Sequence, residues 1–211
     1  MEKTIKGLLI FLIVASMLFV LTGCGDKENA KKEDKDEVVE QKQETNVKEE
    51  EKPQFSMGEW NNNVYTNDFL GLKFNLPEGW TYSSDEELEE INKQMEAQNG
   101  VYYVSAINAT TGNNINICSE KPAIDMTIEE YINQLKNQLS SLENINYKIG
   151  ETANEQFLGR ECQTVEMTVT MSGIEIMQKY YNYKVDEYIV SLVITSTTGE
   201  TGINEIIKCF E

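Results

Sequence analysis

The sequence VEMTVTMSGIEI (residues 165–176) alternates apolar and polar residues on both sides of a Ser-Gly pair. Alternation with a period of two is typical of strands that bury one face, and a two-residue turn containing glycine joins such strands as a hairpin. Asp186-Glu187 then turns the chain into the apolar stretch at 188–195. This region, the strongest strand signal in the chain, is therefore predicted to form an antiparallel meander of three strands.

Two helices are predicted before the meander and a short one after it. Ser84 with Glu87 and Thr127 with Glu130 have the spacing of capping boxes, and apolar residues at helical spacing follow each pair. A third helix begins at Thr201, and its apolar residues return to the core.

Further strands are predicted on the N-terminal side of the helix at 128–142. Residues 101–109 and 113–119 form a hairpin, and 64–66 and 72–76 are short strands, whereas 61–63 (Asn-Asn-Asn) are predicted to be a loop. The fold class that follows is α+β, an antiparallel sheet of six or seven strands covered by about three helices.

Aromatic residues are numerous, and most of them are predicted to pack in the core or on a sheet face. Tyr181 and Tyr183 share one face of their strand and Tyr180 lies on the opposite face. At least one face of that strand is therefore expected to carry exposed or half-exposed aromatics. A ligand groove or a partner surface is the alternative for the set Trp60, Tyr65, Phe69, Trp80, Tyr82, Tyr102, Tyr103, Tyr180, Tyr181, Tyr183 and Tyr188.

The N-terminus has the pattern of an export signal. Two lysines precede an uncharged, almost wholly apolar run of 14 residues, Leu8–Leu21. As a helix this run spans about 21 Å, which is short of a bilayer core of roughly 30 Å. Leu-Thr-Gly-Cys at 21–24 resembles the lipobox of bacterial lipoproteins. The resemblance implies that Cys24 carries a diacylglyceryl group and that a peptidase cuts between Gly23 and Cys24. An uncleaved membrane anchor is the alternative.

Residues 24–53 are predicted to be a lipidated cysteine followed by a disordered charged tether. From 25 to 53 there are seven lysines, eleven acidic residues and few apolar ones, too little apolar surface to offset the entropy of ordering. A single charged helix is the alternative. Residues 1–23 are thus predicted to be a signal peptide, 24–53 a tether and 54–211 a folded domain. The mature protein, which begins at Cys24, is expected to be anchored to the extracytoplasmic side of the cell membrane through two acyl chains.

Composition excludes several classes of function. The net charge is −18, which argues against nucleic-acid binding, and the chain contains no histidine, which removes His-based catalysis and His-containing metal sites. The acidic run at 85–90 could bind a divalent cation, but a solvated helix start explains it. The sequence therefore predicts no catalytic residues, no metal site and no cofactor, and the protein is expected not to be an enzyme.

Three cysteines remain once Cys24 is set aside. Cys118 and Cys162 fall on predicted strands and Cys209 on the last helix, where cysteine often packs as a small hydrophobic residue. Three free thiols, or one disulfide and one free thiol, are both compatible with the sequence.

The order of elements, with Phe-x-Leu-Pro-x-Gly-Trp at 74–80 and Glu-Glu-Tyr-Ile at 129–132, resembles the PsbP-like fold, named for an extrinsic protein of photosystem II. The resemblance covers most of 64–210 and implies a non-enzymatic binding or assembly domain. The metal-linked role of the plant protein is not carried over, because there is no histidine to act as a ligand. The expected function is binding of a protein partner of unknown identity. The alternatives are binding of a small ligand in an apolar cleft between sheet and helix and, more remotely, a carboxylate-dependent hydrolase.

Overall fold

The computed structural model describes residues 54–96, 99–142, 145 and 147–211. The ten strands of this part are β1 Glu59–Asn61, β2 Val64–Asn67, β3 Leu72–Asn75, β4 Thr81–Tyr82, β5 Gly100–Ile107, β6 Asn114–Glu120, β7 Tyr147–Phe157, β8 Arg160–Met171, β9 Ile174–Val185 and β10 Tyr188–Ser196. Its helices are α1 Asp85–Met95, α2 Ile128–Ser140 and α3 Glu200–Ile207. The signal segment, Gly23, Cys24 and the tether lie outside the described residues. None of the described helices is long and apolar enough to cross a membrane.

The main sheet has seven strands in the order β4-β5-β6-β10-β9-β8-β7, and every neighbouring pair is antiparallel. The predicted α+β class, an antiparallel sheet of six or seven strands with about three helices, is confirmed. The meander has four strands instead of three, because β7 precedes the predicted ones. Sequence patterning missed β7 because it is an edge strand whose side chains are mostly exposed, so it has no apolar alternation.

A second sheet, β1-β2-β3, is formed by residues near the N-terminal end of the described part. The prediction of a loop at 61–63 was wrong for Asn61, which ends β1, and right for the turn that follows, where Asn62 has φ 54°. Strand β1 is only three residues long and half exposed, so a periodic pattern could not reveal it.

The main sheet is covered on both faces. The small sheet and α3 pack on one face, against buried residues that include Tyr181 and Tyr183. Helix α2 packs on the other face against Tyr180, while α1 covers Tyr102 on β5. The expectation of exposed aromatics on β9 was therefore wrong, since Tyr180, Tyr181 and Tyr183 are each only 3% exposed. The sequence correctly predicted that Tyr180 points to the face opposite Tyr181 and Tyr183, but it did not predict that both faces of the main sheet are covered.

Both predicted capping boxes are present. The Ser84 hydroxyl accepts a hydrogen bond from the Glu87 amide at 3.3 Å, and the Glu87 carboxylate accepts one from the Ser84 amide at 2.9 Å. Thr127 and Glu130 make the same reciprocal pair at the start of α2. These bonds satisfy amide groups that the first turn of a helix leaves without partners, which is why the sequence predicted both helix starts.

Arg160, the single arginine of the chain, connects the two sheets. From the start of β8 its guanidinium donates to the carbonyl of Leu70 at 2.9 Å and to that of Gly71 at 3.2 Å, in the loop between β2 and β3. It also lies 4.6 Å from the centre of the Tyr183 ring. This side chain therefore holds the small sheet in place over the large one.

The cysteines at 118, 162 and 209 are free in the described part of the chain. Cys118 and Cys162 lie on strands, as predicted, but Cys209 lies in the turn after α3 and not on the helix. Burial raises the pKa of Cys118 to about 12 and that of Cys162 to about 11. Both thiols therefore stay protonated at neutral pH, which makes them poor nucleophiles.

Candidate functional site

A groove runs between α1 and the segment that leads into β1. It consists of two adjoining cavities of about 890 Å³ and 550 Å³, which share Met57, Glu89 and Asn92 as lining residues. We call this feature the α1 groove. Residues 55–60 form one wall, α1 forms the other, and Tyr82 of β4 lines the larger cavity.

The wall formed by residues 55–60 is held against β2 by hydrogen bonds. The Tyr65 hydroxyl donates to the Met57 carbonyl at 2.6 Å, and the Asn67 side-chain amide donates to the Ser56 carbonyl at 3.0 Å. Gly58 has φ +70°, and a Cβ there would lie 2.5 Å from the Thr66 carbonyl oxygen. Glycine is required at this position because only it permits both the left-handed backbone and the close approach.

The opposite wall is placed by Asn92, which joins α1 to β5. Its side chain accepts a hydrogen bond from the Tyr102 amide at 2.6 Å and donates to the Tyr102 carbonyl at 3.0 Å. Because a single side chain satisfies both backbone groups, the rotation of α1 about its axis is restrained. Asp85 and Glu89 consequently line the groove along the face of α1 that borders it.

Apolar side chains are exposed along this groove. Among the described residues five large hydrophobic side chains are exposed, and three of them line it: Phe55 at 48%, Met57 at 40% and Tyr82 at 38%. Tyr82 stacks on Trp60 with ring centres 3.9 Å apart. Phe55 stacks on Tyr188, with ring centres 5.7 Å apart. Exposed apolar surface concentrated in one concavity is typical of a binding site.

The rim of the α1 groove is negatively charged. The charged lining residues are four acids and two lysines, a difference of −2: Glu59, Asp85, Glu89, Glu96, Lys93 and Lys121. Both lysines are already in ion pairs, Lys93 with Glu89 and Glu90 and Lys121 with Glu187. An approaching ligand therefore meets apolar surface bordered mainly by carboxylates.

Two features of the α1 groove are ones that the sequence offered as sites: the acidic run at 85–90, and the aromatic set, of which Trp60, Tyr65, Tyr82, Tyr103 and Tyr188 line the groove. All carboxylate residues of the acidic run are exposed, and the first three lie in the first turn of α1. Among the described residues no cluster of three or more His, Cys, Asp or Glu side chains is placed to hold a metal ion. Phe55 and Met57 were missed, although two apolar residues directly after a charged tether are a signal that could have found them.

Glu120, at the end of β6, is a second residue that sequence reasoning missed. It is 7% exposed and lies under α2, where it hydrogen bonds to Tyr131, while its Oε2 has no partner among the described residues. Burial raises the pKa of Glu120 from 4.5 to about 7. It is not among the residues that line the α1 groove.

No family of known proteins and no curated protein sequence matches the chain. Solved structures similar to it include cyanobacterial PsbP (CyanoP) from Synechocystis, with a TM-score of 0.47, 11% identity and coverage of 70% of this chain and 90% of that one. LpqN, involved in cell envelope biogenesis of Mycobacterium tuberculosis, has a TM-score of 0.41 and 12% identity, over 66% of this chain and 81% of that one.

A protein of unknown function from Pseudomonas aeruginosa has a TM-score of 0.36 and 15% identity, over 44% of this chain. The match spans 64% of that protein's length, which is less than two thirds. At such low identities and TM-scores these similarities carry no argument about activity or partner. The PsbP-like assignment remains a prediction, whereas the α+β class is seen directly in the strands and helices.

Proposed function

We propose that this chain is an extracytoplasmic lipoprotein, anchored to the cell membrane through Cys24, whose folded domain binds a protein partner in the α1 groove. The observation that carries the proposal is the concentration of exposed apolar side chains there. Phe55, Met57 and Tyr82 leave apolar area in contact with water, and covering it with a partner recovers free energy of about 25 cal/mol per Å².

Charge defines the partner further. The rim of the groove is acidic, and residues 54–211 have 9 basic and 24 acidic residues, a net charge of 9 − 24 = −15. A surface of this charge repels acidic proteins and attracts basic ones, mainly by accelerating their association. The segment that fits combines an apolar anchor for the groove with lysine or arginine for the rim.

The position of the groove agrees with membrane anchoring. Phe55 lines it and follows residue 53, the predicted end of the tether, by only two positions. A flexible tether of 29 residues has a root-mean-square reach of roughly 30 Å. A partner bound next to the tether's attachment point is therefore held close to the lipid surface.

The chemistry of the domain favours binding over turnover. The half-buried thiol of Cys118 and the buried thiol of Cys162 are protonated at neutral pH because desolvation raises their pKa values. The carboxylates that line the groove are exposed. Solvated carboxylates of this kind supply electrostatic attraction to a basic partner.

Site-specific photo-crosslinking in intact cells tests the proposal. A photoreactive amino acid at Met57 is expected to capture one protein reproducibly, through a segment containing lysine or arginine. The same amino acid at Ile174, which is 50% exposed and lies at the start of β9, is the matched control and is expected to capture little.

Charge reversal makes the test specific. Asp85→Lys with Glu89→Lys is expected to reduce capture at Met57 at least fivefold, while Glu161→Lys, an exposed residue on β8, leaves it unchanged. Equal crosslinking yields at Met57 and Ile174, or a yield at Met57 that does not change when the rim charges are reversed, would contradict the proposal.

A small ligand is the second candidate, favoured by the size of the larger cavity. Its volume of about 890 Å³ falls in the range of about 300–1,000 Å³ that is usual for ligand sites, and four aromatic residues are among its lining. Native mass spectrometry of the purified full-length chain distinguishes the two. A bound small molecule that is lost in Tyr82→Ser and kept in Ile174→Ser would favour this reading.

A further inference from the structure

A separate polar cavity of about 220 Å³ lies over β4, β5 and β6, beside the first turn of α1. Three buried polar residues line it, Ser105, Asn114 and Asn116. The rest of the lining is Thr81, Tyr82 and Glu87, which are exposed, with Ser83, Ala106 and Ile107. At about 30 Å³ per water molecule, the cavity has room for a group of several heavy atoms. It is distinct from the α1 groove, with Tyr82 as the one lining residue that the two share.

The side-chain oxygen of Asn116 is the feature that indicates a ligand. Asn116 is 2% exposed, and its Oδ1 has no hydrogen-bond partner among the described residues. Its amide nitrogen donates one hydrogen bond, to the Asn114 Oδ1 at 3.3 Å. A buried carbonyl oxygen without a donor costs about 1–3 kcal/mol, so a group that supplies a donor is stabilised there.

The alternation of β6 explains how the Asn116 side chain comes to line a cavity. Ile115 and Ile117 pack in the core beneath the small sheet, so Asn114 and Asn116 point to the opposite face. Helix α2 covers that face farther along the sheet, against β8, β9 and β10, and α1 packs against Tyr102 and Cys118. Asn116 therefore lies under the start of α1, where the cavity is.

The lining selects the charge of the ligand. Glu87 is the only charged residue among the described residues around the cavity, and it lies at the exposed mouth. Its Oε2 is used by the capping box with Ser84. A carboxylate at the mouth and a carbonyl oxygen at the floor are both acceptors, so the preferred ligand is a cation with several N–H donors.

We infer that this cavity binds an alkylguanidinium group, either the end of an arginine side chain or a free guanidino compound. A guanidinium is planar and carries five donors in a fixed fork, so it can donate to Glu87 and Asn116 together. An ammonium group is compact and more strongly hydrated, which makes it the poorer fit. The inference does not depend on a protein partner in the α1 groove.

NMR spectroscopy of the ¹⁵N-labelled full-length chain tests the inference with three small probes: methylguanidinium, methylammonium and acetate. Methylguanidinium is expected to shift the side-chain amide signals of Asn114 and Asn116 in a saturable way. Methylammonium is expected to bind at least fivefold more weakly, and acetate not to bind. Equal binding of methylammonium, a shift with acetate, or no saturable shift with any probe would overturn the inference.

Two variants locate the site. Asn116→Leu removes the unpaired oxygen and is expected to abolish the methylguanidinium response, read from the backbone signal of Ser105. Glu87→Gln keeps the capping box, because either glutamine or glutamate can occupy that position. It is expected to weaken methylguanidinium binding at least threefold. This variant tests the inference independently if Asn116→Leu does not fold. Glu86→Gln, next to Glu87 but outside the cavity lining, is the control. Equal binding by Glu87→Gln and Glu86→Gln would also overturn the inference.

A pair of tripeptides distinguishes the two sources of the guanidinium. If blocked Gly-Arg-Gly shifts the same asparagine signals and blocked Gly-Lys-Gly does not, the cavity binds an arginine side chain. A response to methylguanidinium alone assigns it to a free guanidino compound. Failure of photo-crosslinking at Met57 with binding of methylguanidinium intact would reject the groove proposal and leave this inference standing.

Discussion

Replacing Glu120 with glutamine tests whether one carboxyl group buried under α2 makes the folded protein less stable as pH rises. Glu120 is 7% exposed, and one of its oxygens has no partner among the described residues. Burial raises its pKa from 4.5 to about 7, and the hydrogen bond with Tyr131 only partly opposes this. Glutamine keeps the shape and the capacity to bond Tyr131 but cannot ionise.

The sign and size of the effect follow from the two pKa values. The unfolded chain releases this proton near pH 4.5, whereas the folded protein holds it until about pH 7. The stabilisation by the bound proton is therefore complete below pH 4.5 and is lost as pH rises through 7. At about 1.4 kcal/mol per pKa unit, the loss is about 3 kcal/mol. The chain contains no histidine, so no imidazole titrates in the same range.

Urea unfolding of the full-length chain, followed by tryptophan fluorescence at about pH 5 and about pH 8, measures the effect. The free energy of unfolding of the parent is expected to fall by about 2–3 kcal/mol between these values, and that of Glu120→Gln by much less. Glu161→Gln, which removes an exposed carboxylate, is the control and is expected to follow the parent. The same pH dependence in the parent and in Glu120→Gln would refute the reasoning.

Three further predictions concern the architecture and the anchor. Arg160→Ala is expected to lower the free energy of unfolding by about 3 kcal/mol, because it removes two charge-assisted hydrogen bonds and a cation–π contact. Urea unfolding measures the change, and Lys148→Ala, which removes an exposed side chain, is the control and is expected to change the free energy little. Cys24→Ala is expected to abolish labelling by a fatty-acid probe, and equal label in both proteins would remove the lipobox interpretation. Residues 54–211 are expected to unfold cooperatively on heating with or without chelator and reductant, and loss of the transition in either would reveal a metal or a disulfide.

Local patterns predicted the parts of the fold that depend on neighbouring residues. The capping box Ser84–Glu87 is satisfied within four residues, and the alternation at 165–171 depends only on the pleat of one strand. The start of α1, the hairpin of β8 and β9, and the α+β class could therefore be predicted. The edge strand β7 could not, because most of its side chains are exposed and so have no apolar period.

The sequence by itself predicts the segment boundaries and the lipobox at Cys24, and it determined most of the elements of the folded part, because these depend on composition and short-range spacing. Tertiary structure alone decided the environment of Glu120, Asn116 and Phe55. Each of these side chains meets residues distant in sequence: Tyr131 from α2 for Glu120, the start of α1 for Asn116, and Tyr188 from β10 for Phe55. Burial, an unpaired oxygen and an exposed groove result from how whole elements pack on one another, and no spacing along the chain encodes that packing.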